Sequence, residues 1–517
     1  MVFILGINER KVLSPVKIIL QVLVAIILIA LQIGIYWLLF VRSVQIPYIY
    51  AISSLLSVIL IIKLYNSNDN VSYKILWIIV MLLFNGTGPI LYLCFGNGNN
   101  LPKRKFKNIN GYLQNETEIS EIISKIEDED NLSYRMSTFL HNVTGLYPHH
   151  NQGEEFYNDG LELFQEMLRE IDNAKKYIFL EYFIVASGAM LDELITHLEE
   201  ASSRGVEIKF IYDYVGCNVP KVLSKKDLKR IKDIPTCEVS SYNPIGVTLN
   251  LGINYRDHRK ILLIDGDVCF VGGINIADEY IHKKERFGFW RDNGMKIYGD
   301  ACYNYLILFA KIWYMNTNEK LQISKYQTKS DLKNLEGYIF PFGDGPHNKL
   351  NPTYDLYIKL IENAKKSIYI STPYLIIDNL FLKAITNQVK SGVEVIFLVP
   401  EIADKKIVYW MTENNFQEIL NAGGKIYKFK GGFNHAKTLI IDSDYAIVGT
   451  VNIDYRSMFL HFECCNLLMK TPLINEIKQD FLDTLLTSME VDVVKNKKRN
   501  PFKKIISFFL SIFGPLF

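Results

Sequence analysis

The chain has 517 residues, with 57 basic and 55 acidic side chains and a net charge of +2. This balance excludes a polycation built for nucleic acid and an acidic, disordered chain. Apolar residues make up 49% of the sequence and charged residues 22%, with a mean hydropathy of +0.08, so we expect part of the chain to lie in lipid.

Three apolar segments, 18–41, 46–62 and 75–95, occupy the first hundred residues. The first runs for 24 residues without a charge, and since about 20 helical residues cross a bilayer core, it predicts a transmembrane helix. No small-residue cleavage site follows it, which favours a retained anchor over a signal peptide. The second could span as a hairpin with the first. The third is interrupted at Asn85-Gly86-Thr87-Gly88-Pro89, which predicts either a kinked span or a re-entrant hairpin.

Lysine and arginine residues in the short connections between membrane segments indicate on which side of the membrane each connection lies. Three full spans would place the basic residues before the first segment opposite those at 103–107, giving no bias. Two crossings and a re-entrant third segment leave only Arg42 on the far side. The sequence therefore favours a multi-pass membrane protein with a cytoplasmic body. Seven cysteines without CxxC spacing favour neither a disulfide framework nor a zinc site, and they suit a reducing compartment.

The body contains an internal repeat. Residues 173–180 recur as 363–370, and residues 203–210 recur as 390–397, with a helical apolar pattern between the members of each pair. Each half predicts a strand, an amphipathic helix, a glycine turn and a second strand, a βαβ unit of a mostly parallel sheet. We expect an α/β fold with two pseudo-twofold lobes. The expected divisions are a membrane anchor at 1–107, lobes at 108–330 and 331–490, and a tail at 491–517.

A second match lies later in each half, at a constant offset of 177 residues. The pattern HxKxxxxD occurs at 258–265 and again at 435–442, and each copy is followed at the same distance by GxxN, which ends at Asn275 or Asn452. One HxKxxxxD could arise by chance in a chain of this length. Two copies in the same part of a repeat indicate a functional site.

Alternation along a strand places His258 and Lys260 on one face, and likewise His435 and Lys437. If a pseudo-twofold axis relates the two lobes, it brings two imidazoles and two ammonium groups together in one site. Such a site suits phosphodiester chemistry, in which one histidine attacks phosphorus and the other protonates the leaving alcohol and then deprotonates the incoming one. The lysines, with Asn275 and Asn452 as amide donors, would neutralise phosphate charge. This chemistry requires no metal and no cofactor.

The remaining candidates have alternative interpretations. Asp265 and Asp442 fall on the face opposite the lysines and open turn sequences. They could take part in the chemistry, hold the hairpin or position the lysine. Asn275 and Asn452 could instead cap turns. We interpret His461 as structural.

The paired motif resembles the phospholipase D superfamily, and the details look closest to bacterial cardiolipin synthases. The resemblance covers nearly the whole chain. It includes the apolar amino-terminal hairpin, the interrupted third segment and the stretches 181–183, 212–216, 271–276, 290–292, 456–457 and 462–463.

This resemblance implies a membrane enzyme of bacteria that transfers a phosphatidyl group from one phosphatidylglycerol to another and releases glycerol. It implies that His258 is the nucleophile and His435 the acid and base. It also implies that an acidic residue about thirty positions beyond each histidine orients the imidazole, here Asp292 and Glu463. The serine that the family has before its xAsn pair is Gly273 in the first motif and Thr450 in the second, so a hydroxyl contact to phosphate is expected only from the second half.

The carboxyl-terminal segment carries basic residues over 495–504 and an apolar run at 505–513. It predicts an interfacial tail drawn to anionic membrane lipid, or alternatively a terminus that packs on the body.

Other functions fit less well. Water in place of the lipid hydroxyl would make the chain a hydrolase that yields phosphatidic acid. A nuclease is disfavoured because basic and aromatic residues form no stripe, so we expect no nucleic-acid partner. A scaffold that merely retains the fold would be expected to lose a histidine or lysine from one motif, and neither is lost. The sequence does not predict the oligomeric state.

Overall fold

The computed structural model describes residues 34, 37, 41, 47–67, 69–84, 87–96, 116–219, 221–244, 254–346, 348, 350–494, 510 and 514. The chain divides into two compact units, Met1–Asn97 and Gly98–Phe517. The domain boundaries drawn from the sequence at residues 107, 330 and 490 stay predictions.

The amino-terminal unit contains α1 (Pro47–Tyr65), α2 (Val71–Leu83), α3 (Gly88–Leu91) and a π-helical turn (Tyr92–Gly96). The third apolar segment folds back on itself. The evidence is a hydrogen bond between its two ends, in which the Tyr73 hydroxyl donates to the Gly96 carbonyl at 2.6 Å. A straight helix would hold these residues about 35 Å apart. A Cβ atom at Gly88 would lie 2.6 Å from the Val80 carbonyl oxygen, so glycine lets α3 lie against α2. Of the two predicted forms, the segment adopts the hairpin.

The apolar segments predicted to lie in the membrane fall partly within the described residues. The predicted span 18–41 lies outside them, apart from positions 34, 37 and 41. Among the helices that are described, none is long and apolar enough to cross a bilayer. Large apolar side chains on α1 and α2 are nevertheless exposed, and these include Tyr48, Ile52, Leu55, Val58, Ile59, Ile62, Val71, Ile75, Leu82 and Leu83.

The described part of the second unit, from residue 116, starts with two helices and continues into two sheets. The elements of its first part are α4 (Glu116–Glu129), α5 (Asn131–Thr144), β1 (His149–His150), β2 (Glu154–Tyr157), α6 (Gly160–Asn173), β3 (Tyr177–Tyr182), α7 (Ala189–Ser203), β4 (Glu207–Asp213), α8 (Tyr214–Asn218), α9 (Lys225–Asp233), β5 (Cys237–Tyr242), β6 (Lys260–Ile264), β7 (Val268–Gly272), β8 (Phe289–Arg291) and β9 (Gly294–Tyr298). Those of its second part are α10 (Cys302–Thr317), α11 (Ile323–Tyr326), β10 (Tyr338–Asp344), α12 (Pro352–Asn363), β11 (Ser367–Ser371), α13 (Asn379–Lys390), β12 (Glu394–Pro400), α14 (Lys406–Ala422), β13 (Lys425–Phe429), β14 (Gly432–Asn434), β15 (Thr438–Ile441), β16 (Tyr445–Gly449), α15 (Tyr455–Phe459), β17 (Glu463–Met469), α16 (Leu473–Leu486) and β18 (Met489–Glu490).

Each lobe is built on one sheet. The first sheet has the order β2-β9-β7-β6-β3-β4-β5, and the second has the order β1-β10-β17-β16-β15-β11-β12-β13-β18. The units β3-α7-β4 and β11-α13-β12 confirm the predicted βαβ repeat, since their strands pair in parallel. The mixed two-lobed α/β fold is therefore confirmed.

The prediction that the sheets are mostly parallel is wrong. Besides the two βαβ pairs, only β4 with β5 and β12 with β13 pair in parallel within these two sheets. The other described pairs are antiparallel, including β6 with β7 and β15 with β16. For β6 with β7 and for β15 with β16 the physical reason is that a short turn joins the two strands, and a short turn can only reverse the chain.

The two lobes share packing around α10, whose side chains are buried along most of its length. The Tyr305 hydroxyl on α10 donates to Asn466 Oδ1 on β17 at 2.8 Å. Phe309 stacks on Phe179 of β3 with ring centroids 4.6 Å apart. One helix thus packs against strands of both sheets and fixes the lobes relative to each other.

Candidate active site

Two short backbone contacts between the lobes hold the candidate histidines. His258 lies two residues before the start of β6, and its amide donates to the Phe462 carbonyl at 2.9 Å. His435 follows β14, and its amide donates to the Arg291 carbonyl at 2.7 Å. Strand β14 pairs in parallel with β8 as a separate two-stranded sheet. Each histidine is therefore fixed by backbone of the opposite lobe.

The orienting carboxylates are exchanged between the lobes. His258 Nδ1 lies 2.9 Å from Glu463 Oε1, and His435 Nδ1 lies 2.6 Å from Asp292 Oδ2. The sequence paired each acid with the preceding histidine of its own half, and the structure corrects this assignment. A carboxylate at Nδ1 fixes the proton there, so Nε2 of each ring keeps its lone pair for chemistry.

Each carboxylate is itself held. Thr450 Oγ1 donates to Glu463 Oε2 at 2.5 Å, so this hydroxyl supports the carboxylate, in place of the phosphate contact expected from the sequence. The Asn293 amide donates to Asp292 Oδ1 at 2.9 Å. A Cβ atom at Gly273 would lie 1.8 Å from the same Oδ1, so Asp292 fills the space beside the glycine.

The two lysines lie within the site and are almost completely buried, with 1% of Lys260 and 2% of Lys437 exposed. Lys260 Nζ donates to the carbonyl of His258 at 2.6 Å, and Lys437 Nζ donates to the carbonyl of His435. Burial lowers the pKa of Lys260 to about 8 and that of Lys437 to about 7. Both groups are therefore close to losing their charge near neutral pH in the free protein.

The histidines are held neutral. Burial, followed by the positive charges of Lys260 and Lys437, lowers the pKa of His258 well below its ordinary value. Burial and the Lys437 charge lower the pKa of His435 to about 4. Burial raises the pKa of Asp292, but His435 and Lys437 hold it below its usual range. A neutral imidazole beside an ionised carboxylate is a competent nucleophile or base.

The four motif groups also interact with one another across the lobes. Lys437 and His435 of the second lobe both lie near enough to His258 to contribute to its lowered pKa, and Lys260 of the first lobe contributes to the lowered pKa of Lys437. The convergence of two imidazoles and two ammonium groups expected from the pseudo-twofold is therefore present. Their role in catalysis stays a proposal.

Asp265 and Asp442 are placed away from the imidazoles. Asp265 follows β6 at the end opposite Lys260, and its carboxylate accepts hydrogen bonds from the amides of Lys175, Lys176 and Tyr177 at 2.7–2.9 Å. Asp442 accepts the equivalent three bonds from the amides of residues 365–367. Of the alternatives left open by the sequence, these contacts favour the one in which the aspartates hold the hairpin.

The two asparagines of the repeat are not equivalent. Asn275 Oδ1 accepts from the Ile184 amide at 3.0 Å, and its Nδ2 donates to the Tyr280 hydroxyl at 2.6 Å. Asn452 is 6% exposed, and its Oδ1 has no hydrogen-bond partner among the described residues. The first asparagine is thus used within its own lobe, whereas the second keeps an atom available to a ligand.

Sequence reasoning did not identify Arg259, which is 2% exposed. Its Nε donates to the Glu463 carbonyl at 3.2 Å and its Nη2 to the Asp344 carbonyl at 3.3 Å. Its Nη1 lies 3.6 Å from Oε1 of the buried Glu181. The position next to His258 in the motif was the only signal in the sequence. Arg259 links the first lobe to the strand that carries Glu463.

One group of side chains near the site offers metal-type ligand atoms. These atoms of His258, His461 and Glu463 lie within 4.8 Å of one another. His258 Nδ1 is already hydrogen-bonded to Glu463, and the nearby ammonium groups oppose a cation. The arrangement fits an anionic substrate better than a metal ion.

Known proteins match this chain in sequence and in fold. A family described as "Cardiolipin synthase, PLD-like domain" matches residues 167–297 and 357–485, and one described as "Phospholipase_D-nuclease N-terminal" matches residues 55–97. The chain is 34% identical to cardiolipin synthase 2 of Bacillus anthracis, over 87% of this chain and 88% of that protein. It is also 34% identical to an uncharacterised protein of Streptococcus mutans, over 88% of this chain and 99% of that protein.

The fold resembles the crystal structure of phosphatidylserine synthase from Haemophilus influenzae, with a TM-score of 0.56 and 15% sequence identity. This similarity covers 75% of the present chain and 99% of the other. With both halves of the repeat matched by one family, the chain belongs to the cardiolipin synthase family of proteins with phospholipase D-like domains.

Proposed function

We propose that this protein is a cardiolipin synthase, which transfers a phosphatidyl group from one phosphatidylglycerol to another and releases glycerol. The observation that carries the proposal is the exchanged pair of hydrogen bonds, His258 with Glu463 and His435 with Asp292. They leave two neutral Nε2 atoms for chemistry beside two buried lysines. The family membership and the cardiolipin synthases among the relatives support the choice of reaction.

In the first half-reaction, Nε2 of His258 attacks phosphorus, and the bond from phosphorus to the glycerol oxygen breaks. His435, protonated at Nε2 in the substrate complex, gives that proton to the leaving glycerol. Lys260 and Lys437 offset the negative charge on the non-bridging oxygens. The product is a phosphatidyl group bonded to His258, and glycerol.

In the second half-reaction, a hydroxyl of another phosphatidylglycerol takes the place of glycerol. His435, now neutral, removes its proton as the oxygen attacks phosphorus. The phosphorus–nitrogen bond breaks and His258 is restored. The low pKa of His435 in the free protein suits this step, whereas the anionic substrate must raise the pKa for the first step, since negative charge stabilises the imidazolium.

We propose that the amino-terminal unit associates with the bacterial cell membrane. Its support is the exposed apolar surface of α1 and α2, because surface of this kind on a soluble protein is unusual. A multi-pass topology with the body on the cytoplasmic side stays our proposal. Beyond residue 494 the tail is described only at Leu510, which packs beside Ile376 and Met411 of the second lobe, and at Gly514. Its basic part, 495–504, lies outside the described residues.

The reaction is tested with purified protein in vesicles that contain phosphatidylglycerol labelled in its head group, with a chelator present. We expect cardiolipin and free glycerol in equal amounts from the wild type, and neither from His258→Ala or His435→Ala. His197→Ala, which removes a surface histidine paired with Asp172, is the matched control. Phosphatidic acid as the main product would indicate the hydrolase instead. Loss of activity in chelator would contradict the metal-free mechanism.

A further inference from the structure

His461 is a buried histidine whose ring is unused by the fold. It is 9% exposed, and neither Nδ1 nor Nε2 has a hydrogen-bond partner in the described structure. Its backbone amide, in contrast, donates a hydrogen bond to the Arg456 carbonyl at 2.8 Å. A buried polar group without a partner costs about 1–3 kcal/mol. The interpretation of His461 as structural therefore leaves the ring unexplained.

The ring lies beside the proposed nucleophile. Its centroid is 5.4 Å from that of His258, and its Nδ1 lies 3.8 Å from Glu463 Oε1, beyond hydrogen-bond distance. Glu463 already accepts from His258 and from Thr450. His461 therefore lies next to the catalytic pair without being part of its hydrogen-bond network.

The same segment of the second lobe carries other unpartnered polar atoms. Asn452 Oδ1 and Ser457 Oγ, like the His461 nitrogens, are buried without a hydrogen-bond partner among the described residues. In the first lobe, the equivalents of Asn452 and Ser457 are Asn275 and Tyr280, which bond each other. The lobes therefore differ at these two positions, and unsatisfied buried polar groups beside a site are typical of a surface that awaits a polar ligand.

The protonation state of His461 determines what it can recognise. Burial lowers its pKa to about 3, so the ring is neutral and has one donor and one acceptor nitrogen. Nδ1 faces the Glu463 carboxylate, which favours the proton on Nδ1 and leaves the lone pair on Nε2. Beside the donor groups of Lys260 and Lys437, an acceptor nitrogen without a partner suits a hydroxyl group.

We propose that His461 determines head-group specificity by accepting a hydrogen bond at Nε2 from a glycerol hydroxyl of the lipid. This inference rests on the proposed function. Leaving glycerol and the incoming glycerol head group occupy the same position opposite His258, so one contact serves both half-reactions. A head group without hydroxyl groups leaves Nε2 unpaired, and sites built around such a bond discriminate strongly against the analogue that lacks it.

The test compares two donor lipids, phosphatidylglycerol and phosphatidylpropanol, which lacks the free hydroxyls of glycerol. The measured quantity is the rate constant for alcohol release from each donor in vesicles during a single turnover, because phosphatidylpropanol has no hydroxyl group with which to accept the phosphatidyl group. We expect the wild type to prefer phosphatidylglycerol by about 10-fold or more. His461→Phe, which keeps a ring but has no acceptor, should reduce the preference to near unity while the rate on phosphatidylpropanol changes little. His461→Asn, which retains a carbonyl acceptor, should restore part of the preference.

The surface variant His197→Phe serves as the control, and thermal unfolding verifies that each variant is folded. If His461→Phe does not fold, the preference of His461→Asn for phosphatidylglycerol should still lie below that of the wild type. An unchanged preference in a folded variant overturns the inference. An equal fall with both donors also overturns it, because that result means a purely structural role. If the wild type makes no cardiolipin, the proposed function itself is wrong, which is a separate outcome.

Discussion

Asp292 of the first lobe holds His435 of the second, with 2.6 Å between Oδ2 and Nδ1. The reciprocal bond runs from His258 to Glu463. Neither lobe contains a complete histidine–carboxylate pair, so the site exists only when the lobes are packed together. The pseudo-twofold repeat thus produces one active site and not two.

We expect Asp292→Asn and Glu463→Gln each to lower kcat by about 10²- to 10⁴-fold, because an amide favours the wrong tautomer of the imidazole. Cardiolipin formation from phosphatidylglycerol measures the effect. Asp172→Asn, which alters an exposed aspartate–histidine pair, is the matched control. Activity near the wild-type level in either buried variant would show that the carboxylates do not orient the rings.

The assignment of nucleophile and acid is tested with a donor that carries a p-nitrophenyl leaving group. Such a group departs without protonation, so His435→Ala should release one equivalent of p-nitrophenolate in a burst and retain a phosphatidyl group on His258. His258→Ala should show no burst. Mass spectrometry of the trapped protein locates the adduct. An adduct on His435 in the His258→Ala variant would reverse the assignment.

The pH dependence of kcat/KM follows from the shifted lysines. Lys437 and Lys260, with pKa values of about 7 and about 8, carry charge below these values and lose it above them. We therefore expect activity to decline as pH rises through 7–8. On the acid side, kcat/KM should fall only below pH 6.5, because burial lowers the pKa of His258 well below that value and keeps the ring neutral at higher pH.

Lys437→Arg tests the alkaline limb, since arginine stays charged at any accessible pH. The variant should move the decline to higher pH, even if its maximal rate is lower. Lys428→Arg, at a lysine paired with Glu413 away from the motif, should leave the profile unchanged. A decline at the same pH in Lys437→Arg would show that another group controls it.

Asp265→Ala should affect stability more than catalysis. It removes three hydrogen bonds from backbone amides to a carboxylate. Because this carboxylate is partly exposed to water, we expect the free energy of unfolding to fall by only about 1–3 kcal/mol. Thermal unfolding and kcat, measured on the same preparation well below the transition, separate the two effects. An unchanged transition with a large loss of kcat would assign the aspartate to the chemistry.

The double variant Ile52→Lys and Ile59→Lys should weaken binding to phosphatidylglycerol vesicles. These side chains are 67% and 53% exposed, so the charges should not disturb packing, and activity in detergent should remain. Leu486→Lys, at a leucine of the body that is 84% exposed, is the control. Vesicle flotation measures binding. Equal flotation of all three proteins would mean that α1 does not contact lipid.

The repeat predicted two α/β lobes, because βαβ units have a local signature of strand, helix, turn and strand. It did not reveal that most strand pairs are antiparallel, since the pairing direction depends on where the chain returns to the sheet. The break at 85–89 likewise indicated an interruption, and only the contact from Tyr73 to Gly96 distinguished a hairpin from a kinked span.

The sequence by itself determined the residue types of the candidate site, since phosphoryl transfer through two imidazoles and two lysines requires those groups at strand spacing in both halves. The tertiary structure decided their partners. The bonds His435 to Asp292 and His258 to Glu463 join residues 143 and 205 positions apart, and periodicity along the chain carries no information about such contacts. The same holds for the contact between the rings of His461 and His258, which arises from the packing of one lobe against the other.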